Sequence, residues 1–450
     1  MNRSRQRRRE FSMITYAIII VGALFLVMAT GTWIGFALYG VALFSLMFLG
    51  KGDMQGLLDS ILFNSLYSYT LVSLPLFVLM GNILIKSGCS TSLFSGVKKI
   101  LGPFPGGMLH SNIVACSIFA ACSGSSTATT VAIGGVSYPE LTKVGYFRRL
   151  ILGSICAGGT LGILIPPSIM MILYGSLTGN SIGKLFIGGI IPGILLAAMF
   201  MIYIGLVCIR HPEWAPERIP FGKGLAYPKA VLKGTLELWP VILLIGGIMG
   251  SIYGGIATPT EAGAVAAVIS FLLWVFYYKT FTWKLFAEAM KETVFMTSLL
   301  MISVIGARAL GMALSHFRIP LALSQWIDSL PVSEYAIWAM IIVVYIILGC
   351  LIDGIDLIIV STPVFYPIMV GTLGFDPIWF GIVLTILVEM SLITPPVGFN
   401  LYVAHSVGGG KKLEDTILGV VPFVIIILIE IIILTIFPDI IMYLPDHMAQ

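Results

Sequence analysis

Charged side chains are scarce in this 450-residue sequence, at 10% against roughly 25% in an average soluble domain. Hydrophobic residues make up 58% of it, and the mean hydropathy is +1.02. Many apolar runs are about as long as the ~20 residues that a helix needs to cross a bilayer. The composition therefore predicts an all-α polytopic membrane protein, surrounded by a lipid bilayer.

Several functional motifs are also missing. The six cysteines fall mostly within apolar runs and form no C-x-x-C spacing, which argues against a disulfide framework and a metal site. The glycine-containing stretch 179–185 has the wrong spacing for a phosphate loop and lacks its final hydroxyl. Protease and esterase signatures are absent. The sequence thus predicts no enzyme, no ATP-driven pump and no cofactor. Its five N-terminal arginines indicate a cytoplasmic N-terminus rather than a nucleic-acid partner.

A pair of matching breaks is present instead, one in each half of the chain. Pro166 begins one Pro-Pro pair and Pro395 begins the other, 229 positions later. Pro192 and Pro422 lie 230 positions apart. Landmarks in one order with nearly constant spacing indicate an internal duplication. Because two prolines remove two backbone donors, each pair is expected to interrupt an apolar helix.

Polar stretches divide the chain into five predicted parts. These are a basic N-terminal segment at 1–12, a first membrane half at 13–209, an extramembrane linker at 210–236, a second membrane half at 237–437 and a tail at 438–450. We expect re-entrant hairpins near 108–137 and 339–370, with longer arms in the second, and broken helices near 151–178 and 378–407. Re-entrant backbone is tolerated only where it packs in protein or lines a wet cavity. Interrupted segments at corresponding positions of two halves point to a transporter binding site.

Each hairpin tip carries oxygen atoms suited to a small, hard cation. The first tip (residues 123–127) is rich in hydroxyls and turns at Gly124, whereas the second tip (residues 353–356) carries Asp353 and Asp356. Carbonyls and half-helix C-termini favour a cation such as Na⁺, and half-helix N-termini favour an anionic substrate group. We therefore predict two cation sites, each formed by one tip and its own Pro-Pro break. Close helix packing by small residues is the alternative.

Lone charged residues in apolar runs are candidate functional groups, because charge inside a membrane is costly. Arg308 is either a ligand for a substrate carboxylate or an ion-pair partner of Glu261, Asp353 or Glu389. Glu261 is alternatively the cap of a helix that begins after Pro259. Glu389 either supports a Na⁺ site or belongs to a buried network.

Seven motifs occur in a fixed order along nearly the whole chain from about Met13. They are Ser-Gly-Ser-Ser at 123–126, Ala-Ile-Gly at 132–134, Gly-Thr-Leu-Gly-Ile-Leu-Ile-Pro-Pro-Ser at 159–168, Thr-Pro-Thr-Glu-Ala at 258–262, Asp-Gly at 353–354, Phe-Asp-Pro-Ile-Trp-Phe-Gly at 375–381 and Glu-Met-Ser-Leu-Ile-Thr-Pro-Pro-Val-Gly at 389–398. In combination they resemble the large membrane subunit of tripartite ATP-independent periplasmic (TRAP) transporters. The resemblance implies about 11–12 transmembrane helices plus two re-entrant hairpins, in two inverted repeats. It also implies an elevator mechanism with scaffold and transport domains.

The resemblance further implies a permease in a bacterial inner membrane that is driven by the Na⁺ gradient. Its expected partners are a small membrane subunit, not fused to this chain, and a periplasmic substrate-binding protein. Expected substrates are organic acids such as C4-dicarboxylates, sialic acids or 2-oxo acids. The alternative is a Na⁺/carboxylate symporter of the same inverted-repeat plan that needs no binding protein.

Matching the motifs residue by residue implies two Na⁺ sites with the substrate between them. Na⁺ site 1 comprises Ser123, Gly124, Ser125, Ser126, Gly159, Thr160, Ile165 and Pro166. Na⁺ site 2 comprises Asp353, Gly354, Met390, Ile393, Thr394 and Pro395. Substrate contacts are expected from Arg308, Ser126, Thr127, Asp356, Pro167 and Pro396. Asp356 departs from the family pattern, which has a small or apolar residue there.

Overall fold

The computed structural model describes residues 2–49, 61–63, 65, 67–216, 226–350, 352–395 and 398–448. Within this part of the chain there are nineteen α-helices and no strand. The first half contains α1 (Asn2–Ala29), α2 (Ile34–Phe44), α3 (Ser73–Lys86), α4 (Cys89–Leu101), α5 (Met108–Ser123), α6 (Ser126–Val144), α7 (Arg148–Leu164), α8 (Ile169–Thr178) and α9 (Ile182–Arg210). The second half contains α10 (Ala226–Tyr253), α11 (Pro259–Leu272), α12 (Trp283–His316), α13 (Ile319–Asp328), α14 (Glu334–Gly349), α15 (Gly354–Tyr366), α16 (Pro377–Ile393), α17 (Phe399–Val407), α18 (Leu413–Ile436) and α19 (Asp439–Asp446).

Eight helical stretches among the described residues are long and apolar enough to cross a membrane, and five shorter apolar helices accompany them. The all-α polytopic class predicted from composition is therefore confirmed. The stretch Arg148–Thr178 differs from the other seven, because 94% of its most apolar window is buried inside the protein. The interrupted helix pair α7–α8 thus lies at the centre of the molecule, surrounded by other helices rather than by lipid.

The helices of the two halves correspond in order. The starts of α6 and α15 lie 228 positions apart, those of α7 and α16 229, those of α8 and α17 230, and those of α9 and α18 231. The first hairpin arms, α5 and α14, are both 16 residues long. The second arms are α6, with 19 residues, and α15, with 13. The expectation of longer arms in the second hairpin is therefore wrong, because α6 continues past its apolar run through the more polar residues 138–144.

Close helix crossings at glycine hold the centre together. A β-carbon on Gly153 of α7 would overlap the carbonyl group of Gly419 of α18, and a β-carbon on Gly419 would overlap the Arg149 carbonyl. The two backbones are therefore in direct contact, which small residues permit inside membranes. This crossing fixes a helix of the second half against the central helix of the first.

Local capping explains several helix boundaries. Glu261 caps α11, since its carboxylate accepts a hydrogen bond from the Thr258 N–H at 2.8 Å while the Thr258 hydroxyl accepts one from the Glu261 N–H at 3.3 Å. The capping interpretation of Glu261 is confirmed. In the predicted linker, residues 217–225 lie outside the described part of the chain, and 226–236 belong to α10.

Candidate cation and substrate site

The first tip forms where α5 ends and α6 begins. Gly124 has a left-handed conformation, with φ of +59°, that glycine adopts without strain. Ser125 then caps α6 by accepting a hydrogen bond from the Ala128 N–H at 3.4 Å. The hydroxyl of Ser123 lies 2.8 Å from that of Thr129. Hydrogen bonds within the hairpin therefore hold the oxygen atoms of the tip in fixed positions.

The first break (residues 165–168) separates α7 from α8. Ser168 connects the two helix ends, because its hydroxyl donates to the Ile163 carbonyl at 2.5 Å and accepts from the Met171 N–H at 3.4 Å. The final carbonyls of one helix and the first N–H groups of the next have no partner within their helices. The break therefore places both kinds of backbone group in the protein interior.

The first tip rests directly on this break. A β-carbon on Gly162 would lie 2.8 Å from the Ser125 carbonyl oxygen and 3.0 Å from the Ser126 Cα. One on Gly124 would lie 3.4 Å from the Pro167 carbonyl oxygen. The backbone atoms of the tip and of the break are thus in van der Waals contact. We call this pair of segments the first clamp; the two parts that the sequence assigns to Na⁺ site 1 meet in it.

The remaining residues of predicted Na⁺ site 1 lie along the end of α7. Thr160 is fully buried, and its hydroxyl donates to the Ala157 carbonyl of its own helix at 2.7 Å, which leaves its lone pairs available. Gly159 directly precedes Thr160, and the Thr130 hydroxyl occupies the place where a side chain of residue 159 would lie. Residues 165–166 follow the last helical turn and offer backbone carbonyl oxygens.

The second tip begins α15. Asp353 caps this helix by accepting a hydrogen bond from the Ile355 N–H at 3.4 Å. Asp353 and Asp356 are both half-buried, and no basic side chain approaches either carboxylate in the part of the chain that the structure describes. A β-carbon on Gly354 would lie 2.9 Å from the Val388 Cγ1 of α16. The second tip therefore packs on the helix that precedes the second Pro-Pro pair.

The second break lies between α16 and α17, and its described residues are Thr394, Pro395 and Gly398. The Cys350 Sγ lies 3.9 Å from the Thr394 carbonyl oxygen and 3.8 Å from that of Pro395. Gly349 is packed so closely on Ser391 that a β-carbon on it would overlap that side chain. The end of α14, which leads into the second tip, is thus in contact with the second break. We call the second tip, the adjoining end of α14 and the second break the second clamp.

Two residues predicted for Na⁺ site 2 are hydrogen-bonded to each other, and one predicted substrate contact lies outside the described residues. The Met390 carbonyl accepts a hydrogen bond from the Thr394 hydroxyl at 2.6 Å. Ile393 is the last residue of α16, so its carbonyl lies at the helix end. The predicted substrate contact Pro396 lies outside the described residues.

The start of α8 lies between the two tips. Its first residue, Ile169, is near Gly124 of the first tip, and a β-carbon on Gly354 of the second would lie 3.1 Å from the Met170 Cε. The Thr127 hydroxyl lies 3.1 Å from that of Ser125 at the start of α6. The N-termini of α6, α8 and α15 therefore gather in one region, and their unpaired N–H groups favour an anion.

Arg308 lies away from this region. Its Nη2 donates to the backbone oxygen of Ser176 at 3.1 Å and to the hydroxyl at 3.3 Å, at the far end of α8. It lines a cavity of about 550 Å³ together with Thr178, Thr362 and Tyr366. The nine helical steps from the start of α8 to Thr178 span roughly 13 Å. The structure therefore brings Ser126, Thr127 and Pro167 together but does not bring Arg308 to them.

The donor atoms of both clamps are oxygens. In the described ranges, no three His, Cys, Asp or Glu side chains come close enough to hold one metal ion. Hydroxyl, carbonyl and carboxylate oxygens suit a hard cation, whereas softer transition metals prefer imidazole or thiolate. The oxygen atoms of both clamps are thus of the type that a hard cation takes as ligands.

Sequence reasoning missed two buried polar side chains at this site. Thr130 and Asn400 are both fully buried, and the Thr130 hydroxyl donates to the Asn400 Oδ1 at 2.8 Å. Asn400 follows the second break by two residues, so its position beside a helix break was the available signal. Glu389 and Glu430 are also fully buried. The Glu389 carboxylate lies close to Glu430 and faces the backbone of Ile163 and Leu164 at the end of α7.

Known proteins are similar to this chain in sequence and in fold. The sequence model described as "Tripartite ATP-independent periplasmic transporter, DctM component" matches residues 21–440. The C4-dicarboxylate TRAP transporter large permease protein DctM of Pseudomonas aeruginosa is 35% identical over 86% of this chain and 89% of that protein. The protein of the same description from Rhodobacter capsulatus is 31% identical over 96% of this chain and 100% of its own length.

Among solved structures, the YdaH transporter of Alcanivorax borkumensis resembles this one with a TM-score of 0.55 over 84% of this chain and 89% of that chain. At 14% identity this likeness concerns the fold alone. The family match covers almost the entire duplicated helix arrangement, including both tips and both breaks. The chain therefore belongs to the tripartite ATP-independent periplasmic transporter family, as a large permease subunit of the DctM type.

Proposed function

We propose that this permease imports a small organic acid by coupling it to the inward movement of Na⁺. The contact of the first tip with the first break is the observation that supports the proposal most. It places hydroxyl oxygens, the carbonyls of a helix end and a glycine turn within one small volume. Oxygen ligands of this kind replace the hydration shell of a hard cation without demanding a charged side chain.

Each clamp holds one Na⁺ in this proposal. The first ion contacts oxygens of Ser123, Gly124, Ser125, Ser126, Gly159, Thr160, Ile165 and Pro166. The second contacts oxygens of Asp353, Gly354, Met390, Ile393, Thr394 and Pro395. Since the Met390 carbonyl and the Thr160 hydroxyl already take part in hydrogen bonds, their remaining lone pairs serve as ligands.

The substrate carboxylate binds between the two ions, at the start of α8. Ser126, Thr127 and Pro167 surround that point, and the partial positive charge of helix N-termini favours an anion there. Asp356 faces the substrate from the second tip, and Pro396 completes the predicted set. Arg308 meets an anion only at the opposite end of α8, in the cavity that it lines.

The proposal includes partners and a movement. A periplasmic binding protein delivers the acid to the permease in the inner membrane, and a small membrane subunit accompanies it. Alternating access follows from the central helices α5–α8 and α14–α17, together with α18, which is in backbone contact with α7, moving as an elevator against the outer helices. C4-dicarboxylates are the first substrates to test, since the two relatives named above carry that description.

Reconstitution tests this function. The permease is placed in liposomes with its small subunit, and uptake of radiolabelled succinate, a sialic acid or pyruvate is followed under an inward Na⁺ gradient. We expect uptake only when Na⁺ and the purified binding protein are both present. Na⁺-dependent uptake without the binding protein would favour the independent symporter instead. Uptake insensitive to Na⁺ would contradict both.

A further inference from the structure

Asn400 connects the second half of the chain to the first clamp. It is the second residue of α17 and is fully buried. Its Oδ1 accepts a hydrogen bond from the Thr130 hydroxyl of α6 at 2.8 Å, and its Nδ2 donates to the Cys156 carbonyl of α7 at 3.3 Å. One carboxamide therefore bridges the two helices whose ends form the first clamp.

On the side of the first clamp, the Asn400 carboxamide contacts residues connected to the first tip and to the interrupted helix α7. The Thr130 hydroxyl lies 2.9 Å from the Ser126 carbonyl oxygen, so its proton is shared between the tip and Asn400. A β-carbon on Gly159 would overlap this hydroxyl and lie 3.0 Å from the Asn400 Nδ2. The carboxamide thus lies beneath the first clamp, in contact with both of its parts.

On the other side, Asn400 is tied to the second break through Gly398. Gly398 has φ of +32°, and a β-carbon on it would lie 3.0 Å from the carbonyl oxygens of both Leu392 and Thr394. The backbone two residues before Asn400 is therefore packed on the Leu392 carbonyl near the end of α16 and on the Thr394 carbonyl of the second break. A shift of those carbonyls would displace the start of α17, where Asn400 lies.

A buried amide cannot readily give up its hydrogen bonds, because an unpaired polar group in an apolar interior is costly. A movement of the second break that displaced Asn400 would therefore strain its hydrogen bonds to Thr130 and Cys156, and a movement of the first clamp would strain the same bonds. On the basis of the proposed function, we propose that Asn400 is a positioning residue that couples the two clamps. Na⁺ in one clamp strengthens Na⁺ binding in the other, and this effect is reciprocal.

Binding of ²²Na⁺ to the purified full-length chain tests the coupling without a substrate. The wild type should show a Hill coefficient well above 1, approaching 2. Asn400→Ala and Thr130→Val should lower it to about 1 while two ions still bind at saturation. Thr130→Ser keeps the hydroxyl and should restore the wild-type curve.

The matched control is Asn112→Ala. Asn112 is also a fully buried asparagine that donates to α7, through its Nδ2 to the Ser154 hydroxyl at 3.1 Å, and it touches neither clamp in the described structure. Its Hill coefficient should equal that of the wild type. If the Asn400→Ala variant does not insert into the membrane, the Hill coefficients of Thr130→Val and Thr130→Ser test the coupling instead.

The outcomes separate this inference from the proposed function. A wild-type Hill coefficient of 1, or an unchanged coefficient in Asn400→Ala or Thr130→Val, would overturn the coupling and leave Na⁺-driven transport intact. A lowered coefficient in Asn112→Ala would also overturn it, since any buried hydrogen bond would then suffice. No saturable ²²Na⁺ binding in the wild type, together with Na⁺-independent uptake, would instead remove the proposed function.

Discussion

The two tips occupy equivalent places in the duplicated fold but differ in charge. The first tip offers only hydroxyls and backbone groups, which hydrogen-bond to one another. The second carries two carboxylates, Asp353 and Asp356, with no basic side chain near them among the described residues. A unit charge at 4 Å interacts with a cation by about 4 kcal/mol near a protein surface, which exceeds the effect of one neutral oxygen. Duplication thus sets where the clamps lie, whereas a few side chains would set how strongly each attracts the cation that we propose.

The largest expected effect comes from separating the first tip from its break. A β-carbon in Gly162→Ala would meet the Ser125 carbonyl oxygen at 2.8 Å and the Ser126 Cα at 3.0 Å, and backbone atoms cannot rotate away. Overpacking of this kind costs roughly 1–3 kcal/mol, so we expect uptake to fall by about 5- to 150-fold. The measurement is initial uptake per inserted permease.

Gly135→Ala is the matched control, because Gly135 lies in the middle of α6 with no atom within 4 Å of the added β-carbon. Its uptake should equal that of the wild type. Full activity of Gly162→Ala would show that the tip does not need to rest on the break.

The charge difference itself is tested by comparing Asp353→Asn with Ser125→Ala. Loss of the carboxylate should raise the half-saturating Na⁺ concentration by at least about tenfold, since more than 1.4 kcal/mol of attraction is removed. Loss of the Ser125 hydroxyl should raise the half-saturating Na⁺ concentration only about threefold. It should also lower the stability of the protein by about 1 kcal/mol, because Ser125 caps α6. Na⁺ titration of uptake measures both half-saturating concentrations.

Asp376→Asn is the control for capping. Asp376 also caps a helix, by accepting hydrogen bonds from the Ile378 and Trp379 N–H groups at 2.7 and 3.0 Å, but it lies outside both clamps. Asparagine caps about as well as aspartate, so this variant should keep wild-type Na⁺ dependence. If the half-saturating Na⁺ concentration rose more in Ser125→Ala than in Asp353→Asn, the proposal that the second tip attracts Na⁺ more strongly than the first would be wrong.

Sequence alone predicted the helical class, because apolar runs of membrane length leave few alternatives. The Pro-Pro pairs also marked where helices break, since two missing donors act locally. It did not reveal Asn400 or its partner Thr130, which are 270 positions apart and meet only in the folded chain. It also grouped Arg308 with the substrate residues by chemistry, although the length of α8 separates them. Features that depend on neighbouring residues, such as helix breaks, could be predicted from the sequence. Contacts between the two halves could be identified only in the structure.

The smallest expected effect is a difference in thiol accessibility between the clamps. Each hairpin has a cysteine beside its tip: Cys122 is 1% exposed, whereas Cys350 is half-buried and lies 3.8 Å from the Pro395 carbonyl oxygen. In single-cysteine variants with the other five changed to alanine, a maleimide should label Cys350 faster than Cys122, since exposure limits thiol reaction. Na⁺ should slow the labelling of Cys350 about threefold relative to K⁺, a barrier change of about 0.6 kcal/mol, because the same carbonyls then contact the ion. A gel shift with a polyethylene-glycol maleimide measures both rates. Equal rates in Na⁺ and K⁺ at Cys350 would mean that the second clamp does not close on Na⁺, and the charge asymmetry would then need a role other than cation binding.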